Sequence, residues 1–283
     1  MTRGHRALSH RGDQLRRDSA LALISSGSYL AGTVWPPIFE RAIALFGWQA
    51  TMIGYGLFAI ALIIPLALLF LSDPPEVIAV ASGSEGEATT PKVFGWPPNV
   101  VFAMLAIAAF LCCVTMSMPQ SHLVAFCSDL GITPAHGAVM LSVLLGMGFM
   151  SRQVWGAVSD RIGGLLTLLI SSVLQAAGMA GFLLTQDEAG LFAVAGAFGV
   201  GFSALIPAYV LAIREYFPAR EASWRVPALL LLSGSGMATG TWLAGIIYDH
   251  YGYYAPAFAT GVGFNLLNLA FIATLVLRRQ FAR

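Results

Sequence analysis

Gly156-Ala157-Val158-Ser159-Asp160-Arg161-Ile162-Gly163-Gly164 is a small charged island between two long apolar segments. Asp160 and Arg161 side by side require water, and the flanking glycines permit a tight reversal. The stretch therefore predicts a short hairpin joining two membrane helices on the water side of a bilayer. Composition carries the same message through the rest of the chain. Hydrophobic residues make up 57% and charged residues only 10%, against about 25% charged in a soluble domain. An integral membrane protein follows, and the lipid bilayer is its first expected partner.

Working outward from the island, segments of the length that spans about 30 Å of hydrocarbon can be read eight times. They cover residues 19–43, 48–71, 98–119, 133–151, 164–184, 190–213, 226–248 and 252–277. The charges orient them. Arg3, Arg6, Arg11, Arg16 and Arg17 precede the first span, Arg278, Arg279 and Arg283 follow the last, and Lys92, Arg152, Arg161, Arg214, Arg220 and Arg225 fall in connections on the same side. Only Arg41 lies opposite, so both termini are expected in the cytoplasm and the chain in a bacterial inner membrane. Residues 1–18 read as a basic cytoplasmic tail. The apolar run after them is not a secretory signal, since no small-residue cleavage site follows. Residues 72–97, with Pro74-Pro75, a Ser/Gly/Glu-rich stretch and Pro97-Pro98, read as a flexible cytoplasmic linker. The linker separates a two-helix unit, 19–71, from a six-helix unit, 98–283.

The pattern Gly-x-x-x-Asp-Arg-x-Gly, carried here by Gly156, Asp160, Arg161 and Gly163, resembles the signature loop of the major facilitator superfamily, although Gly164 and Leu165 stand where that family has basic residues. Arg17, Ala20, Leu21, Ala22, Ser26, Gly27, Ser28, Pro36 and Pro37 resemble the entry into the fifth helix of its monocarboxylate and oxalate/formate branch. Pro119 to Phe126 and Arg214 to Glu221 resemble the outer end of the seventh helix and the loop after the tenth. The sequence is also similar to itself. Ser26-Gly27-Ser28, Gly32-Thr33 and Gly47-Trp48 return about 205 residues later as Ser233-Gly234-Ser235, Gly240-Thr241 and Gly252-Tyr253, as expected of two parallel six-helix halves. The resemblance thus implies an all-α fold in which the eight helices correspond to helices five to twelve of twelve, with four helices absent ahead of residue 19.

What the resemblance implies about function is a secondary transporter of a small solute, an organic acid of the monocarboxylate kind, working by alternating access and driven by a coupling ion. The alternative is a non-transporting membrane fragment or a helix-packing partner of another subunit, reached by self-association or through the missing helices. An enzyme is not expected: no GxxxxGK[ST] loop, HExxH pair or intramembrane acid pair is present. No cofactor, metal or nucleic acid is expected either. Cys112, Cys113 and Cys127 form neither a CxxC pair nor a disulfide framework.

None of the eight segments contains Asp, Glu, Lys or Arg away from its ends. The Arg that oxalate/formate carriers have in the eighth helix has no counterpart within 133–151. Recognition is then left to neutral groups: Ser28, Tyr29 and Trp35 in the first span, Thr115 and Gln120 in the third, Ser142 in the fourth, Tyr209 in the sixth, and Ser233, Ser235 and Thr239 in the seventh. His122 joins them as a group able to titrate at the outer mouth. Asp160 is expected at the start of the first span near Ser19 and Ala20, with Arg214 as ion-pair partner, closing the cytoplasmic side.

Overall fold

The structure, a computed structural model, describes the backbone of residues 2–70 and 92–281 and the side chains of residues 27–70 and 92–281. Most of the linker, 71–91, lies outside them. Eight helices follow one another: α1 Thr2–Phe70, α2 Pro98–Asp129, α3 Pro134–Ile162, α4 Gly164–Leu184, α5 Glu188–Phe202, α6 Leu205–Tyr216, α7 Ala219–Tyr251 and α8 Ala255–Phe281. α5 and α6 follow on as one segment of membrane-spanning length, so among the described residues seven helical units are long and apolar enough to span a membrane. Proline opens α2 and α3 at Pro98 and Pro134, where the missing N–H costs nothing. Asp187 caps α5 by accepting from Gly190 N at 2.8 Å.

α1 is not straight. Gly47 adopts φ 77, ψ 161, a conformation open to glycine. Trp35 and Tyr55 would stand about 30 Å apart on a continuous helix, yet their ring centroids are 4.9 Å apart. The two arms of α1 therefore fold back on each other at Gly47. Gly163, between α3 and α4, repeats this geometry at φ 83, ψ 164. In both places the residue four positions on is a threonine whose hydroxyl donates to the glycine carbonyl, Thr51 to Gly47 at 2.8 Å and Thr167 to Gly163 at 2.9 Å.

The island read as a hairpin is thus mostly helix. α3 continues through Asp160 and Arg161 to Ile162, and the reversal is confined to Gly163. A helix running two turns past the hydrocarbon satisfies its own backbone and still holds its charges in water, so nothing required it to stop at the first charged residue. The same extension overturns a second expectation. Arg152 and Arg225 lie inside α3 and α7 and not in connections.

α2 is the hub, packed by α7 and α8 along much of its length and by α3 at one side. α7 approaches it through Gly236 and Gly240, where any Cβ would run into the Phe110 and Val114 carbonyls. Two polar ladders cross the bundle. Tyr209 Oη donates to Asn268 Oδ1 at 2.6 Å, and Asn268 Nδ2 donates to Ser172 Oγ at 2.9 Å. Asn265 Nδ2 donates to Gln175 Oε1 at 2.6 Å, while Gln175 Nε2 reaches the Cys112 carbonyl at 3.3 Å. The arms of α1 pack chiefly on α3 and leave most of their surface uncovered.

Candidate functional site

A cation stands where α1 packs on α3. Arg152 is half-buried on α3, and its guanidinium carbon lies 5.0 Å from the centroid of the Tyr29 ring on α1. Tyr29 in turn stacks on Phe202, the last residue of α5, with centroids 5.7 Å apart. Gly148, one turn before Arg152, faces both rings; a Cβ there would lie 3.3 Å from Tyr29 and 3.4 Å from Phe202. Among the described residues Arg225 pairs with Glu221 at 2.6 Å, and His136 Nδ1 lies 2.7 Å from Glu188 Oε1. Arg152 has neither as a partner. A guanidinium keeps its charge at any physiological pH and presents a fork that fits a carboxylate.

Arg225 is different. It is buried in α7, its Nε and Nη2 both donate to Glu221 Oε2, Nη2 also reaches Asn99 Oδ1 at 2.8 Å, and three rings surround it. Its charge is neutralised on the spot, so it anchors the start of α7 against α2.

The neutral residues expected to recognise solute divide by surroundings. Tyr29 stands at the Arg152 contact, and Ser28 is exposed beside it on α1. Trp35 sits in the α1 hairpin against Phe39, Tyr55 and Phe58. Thr115 and Tyr209 are fully buried and committed to Gly261 O and Asn268 Oδ1. Ser142, Ser235 and Thr239 donate to carbonyls of their own helices, Ala138, Leu232 and Ser235. Ser233 is buried on α7, and Gln120 is half-buried on α2.

His122, on α2, ties that helix to α7 and to the turn between α7 and α8. Its Nε2 is 3.0 Å from the Thr241 carbonyl, which can only accept, so Nε2 carries a proton, and Nδ1 shares a hydrogen bond with Tyr254 Oη at 3.1 Å. Burial pushes the Tyr254 phenol above its usual range, with Tyr248 and Asp129 adding to the shift, so it remains a donor. Gly156, Asp160 and Arg161 are exposed on the last turns of α3. The expected ion pair with Arg214 is not made: among the described residues Asp160 has no ion-pair partner, and Arg214 is exposed at the end of α6. The acid that engages this region is Glu215. Both its oxygens accept from Gly164 N, at 3.1 Å each, placing a carboxylate on the N-terminus of α4. The side chains of Ser19 and Ala20 lie outside the described residues.

Arg152 lies one position beyond the apolar segment 133–151. A usable signal was present, since the small and apolar periodicity continues through Val154, Trp155 and Val158.

The model of the Major Facilitator Superfamily matches residues 6–223 and 105–283. The chain belongs to that superfamily: it is a multi-pass, all-α membrane protein and not an enzyme. It is 24% identical to monocarboxylate transporter 13 of Bos taurus over 92% of this chain and 60% of that protein. It is 26% identical to the agnestins efflux protein AgnL12 of Paecilomyces divaricatus, covering 90% and 57%. To the multidrug resistance protein MdtG of Escherichia fergusonii it is 28% identical, covering 64% and 44%. The chain spans at most about 60% of the length of these relatives.

Proposed function

We propose that this chain is the last eight crossings of a secondary carrier for a small organic monoanion, with Arg152 as the residue that takes the carboxylate. The arms of α1 count as two crossings, the counterparts of helices five and six, and α2 to α8 form the complete second half. The observation that carries the reading is the Arg152 guanidinium against the Tyr29 ring, at the junction of the two units and with no carboxylate partner among the described residues. A partly desolvated cation of this kind is stabilised by an arriving anion, and the binding of a monoanion leaves the site neutral. The names of the relatives support transport, and that of the bovine protein supports a monocarboxylate. Residues 72–97 link the halves, both termini face the cytoplasm of a bacterial inner membrane, and an ion gradient supplies the energy. In this orientation a cysteine at position 187 is labelled from outside intact cells and one at 161 is not; the reverse pattern would refute it.

Flux needs a second rigid body for the six-helix half to rock against. The 283-residue chain alone in liposomes is therefore expected to take up no monocarboxylate, and the addition of four helices preceding α1 is expected to restore saturable, gradient-driven uptake. Arg152→Gln in that completed carrier should reduce uptake at least a hundredfold, in line with the loss of a specific charged contact to the substrate. Unchanged uptake by the Arg152→Gln variant would overturn the assignment. The uncovered surface of the α1 hairpin favours the second reading, a membrane fragment that packs with another subunit; saturable uptake by the chain alone would remove it.

A further inference from the structure

The crossing made by α5 and α6 is broken at Ser203–Ala204, and the break lies beside Arg152. A helix end in a membrane leaves carbonyls that neither its own turn nor lipid can satisfy. Here two of them, of Val200 and Gly201, have donors from neighbouring helices on both sides. Trp155 Nε1 on α3 donates to the Val200 carbonyl at 2.9 Å, and Ser171 Oγ on α4 donates to the Gly201 carbonyl. Ser151 Oγ and Ser203 Oγ are 2.8 Å apart. Gly148, Ser151, Arg152 and Trp155 follow the i, i+3, i+4, i+7 spacing of one helix face. The face that carries the cation is thus also the face that holds the break.

We infer that Trp155 is a positioning residue for the anion site: its indole N–H fixes the end of α5, which sets Phe202 against Tyr29 and so sets the ring beneath Arg152. The chain of contacts is continuous. Without the Trp155 donor, the Val200 carbonyl keeps only the longer bond from Ser203 Oγ, at 3.3 Å. The end of α5 then loses its tie to α3, Phe202 is no longer held on Tyr29, and the guanidinium loses the surface that orients it. α6 extends the consequence to the cytoplasmic side. It is 12 residues long, about 18 Å, and its far end carries Glu215, the carboxylate on the N-terminus of α4 next to Gly163. The short helix is a strut between the anion site and the α3–α4 turn.

This inference rests on the assignment of Arg152 as the anion site, and the test separates the two. The 283-residue chain in lipid nanodiscs is probed with benzoate by saturation-transfer NMR, and its backbone amides are followed by hydrogen exchange. Wild type is expected to bind benzoate and Arg152→Gln to lose it; no Arg152-dependent binding by wild type would overturn the assignment and the inference together. Trp155→Phe keeps a ring and removes the donor. It should raise exchange at residues 203–206 about tenfold, leave α2 and α8 unchanged, and weaken benzoate roughly fivefold, the size of one lost hydrogen bond. Binding by Trp155→Phe within twofold of wild type, whatever the exchange rates, would overturn the inference and leave the assignment standing. Phe202→Leu breaks the chain one link further on, so it should weaken benzoate to a similar degree with exchange at 203–206 still low. It also carries the test if Trp155→Phe does not fold, and full benzoate binding by Phe202→Leu would then overturn the inference.

Discussion

The α1 hairpin and α2 are equally apolar by mean hydropathy, yet none of the most apolar window of the hairpin is buried, against 67% of that of α2. Leu45, Trp48 and Ile53 are more than 60% exposed, while Leu105, Val114 and Met118 are wholly enclosed. Hydrophobicity does not separate these two regions, because lipid tails solvate an apolar side chain as well as a neighbouring helix does. The difference lies in what the partners offer. α2 meets the backbone of α7 at Gly236 and Gly240 and the Gln175 amide of α4, which donates to the Cys112 carbonyl. The hairpin has glycines too, but a Cβ added at Gly27, Gly54 or Gly56 would meet nothing within 4 Å. These are small residues of the close-packing kind with no partner among the described residues.

The contrast can be broken most sharply at its glycines. Gly240→Val pushes a side chain into the Val114 carbonyl and Ser117 Oγ. Backbone cannot move aside as a side-chain tip can, so the variant should lose about 3 kcal/mol or more and elute from size exclusion as aggregate. Gly54→Val should stay within about 0.5 kcal/mol of wild type in the same unfolding assay in mixed micelles. Equal losses at the two positions would mean that the hairpin is covered after all. A smaller effect sharpens the comparison from the polar side. Asn268→Leu fills the same space but strands the fully buried Tyr209 hydroxyl and Ser172. It should cost about 1 to 2 kcal/mol by the same assay. No measurable loss would show that packing alone holds α4, α6 and α8 together.

Much of this architecture was legible in the chain as written. Apolar runs of spanning length, the sorting of Arg and Lys, and the glycines at 47 and 163 follow from the bilayer's demand that every backbone group be satisfied and every charge reach water. These are local demands, so sequence alone carries them. What it did not carry is where a helix stops relative to the membrane surface. The apolar periodicity that runs on past Ser151 shows that the helix continues through Arg152, but not that Arg152 is held against Tyr29 while Arg161, further along the same helix, is exposed. Nor does local sequence show that Arg225 is neutralised by Glu221 and held by Asn99, that Asp160 has no ion-pair partner among the described residues while Glu215 caps α4, or that Trp155 and Ser171 donate to the carbonyls freed where α5 ends at Phe202. Each of those outcomes depends on groups brought together from distant positions, and the energies involved are differences between one neighbour and another. Only the tertiary structure decides them, because a membrane fixes the length and polarity of a helix but not the side chain it meets.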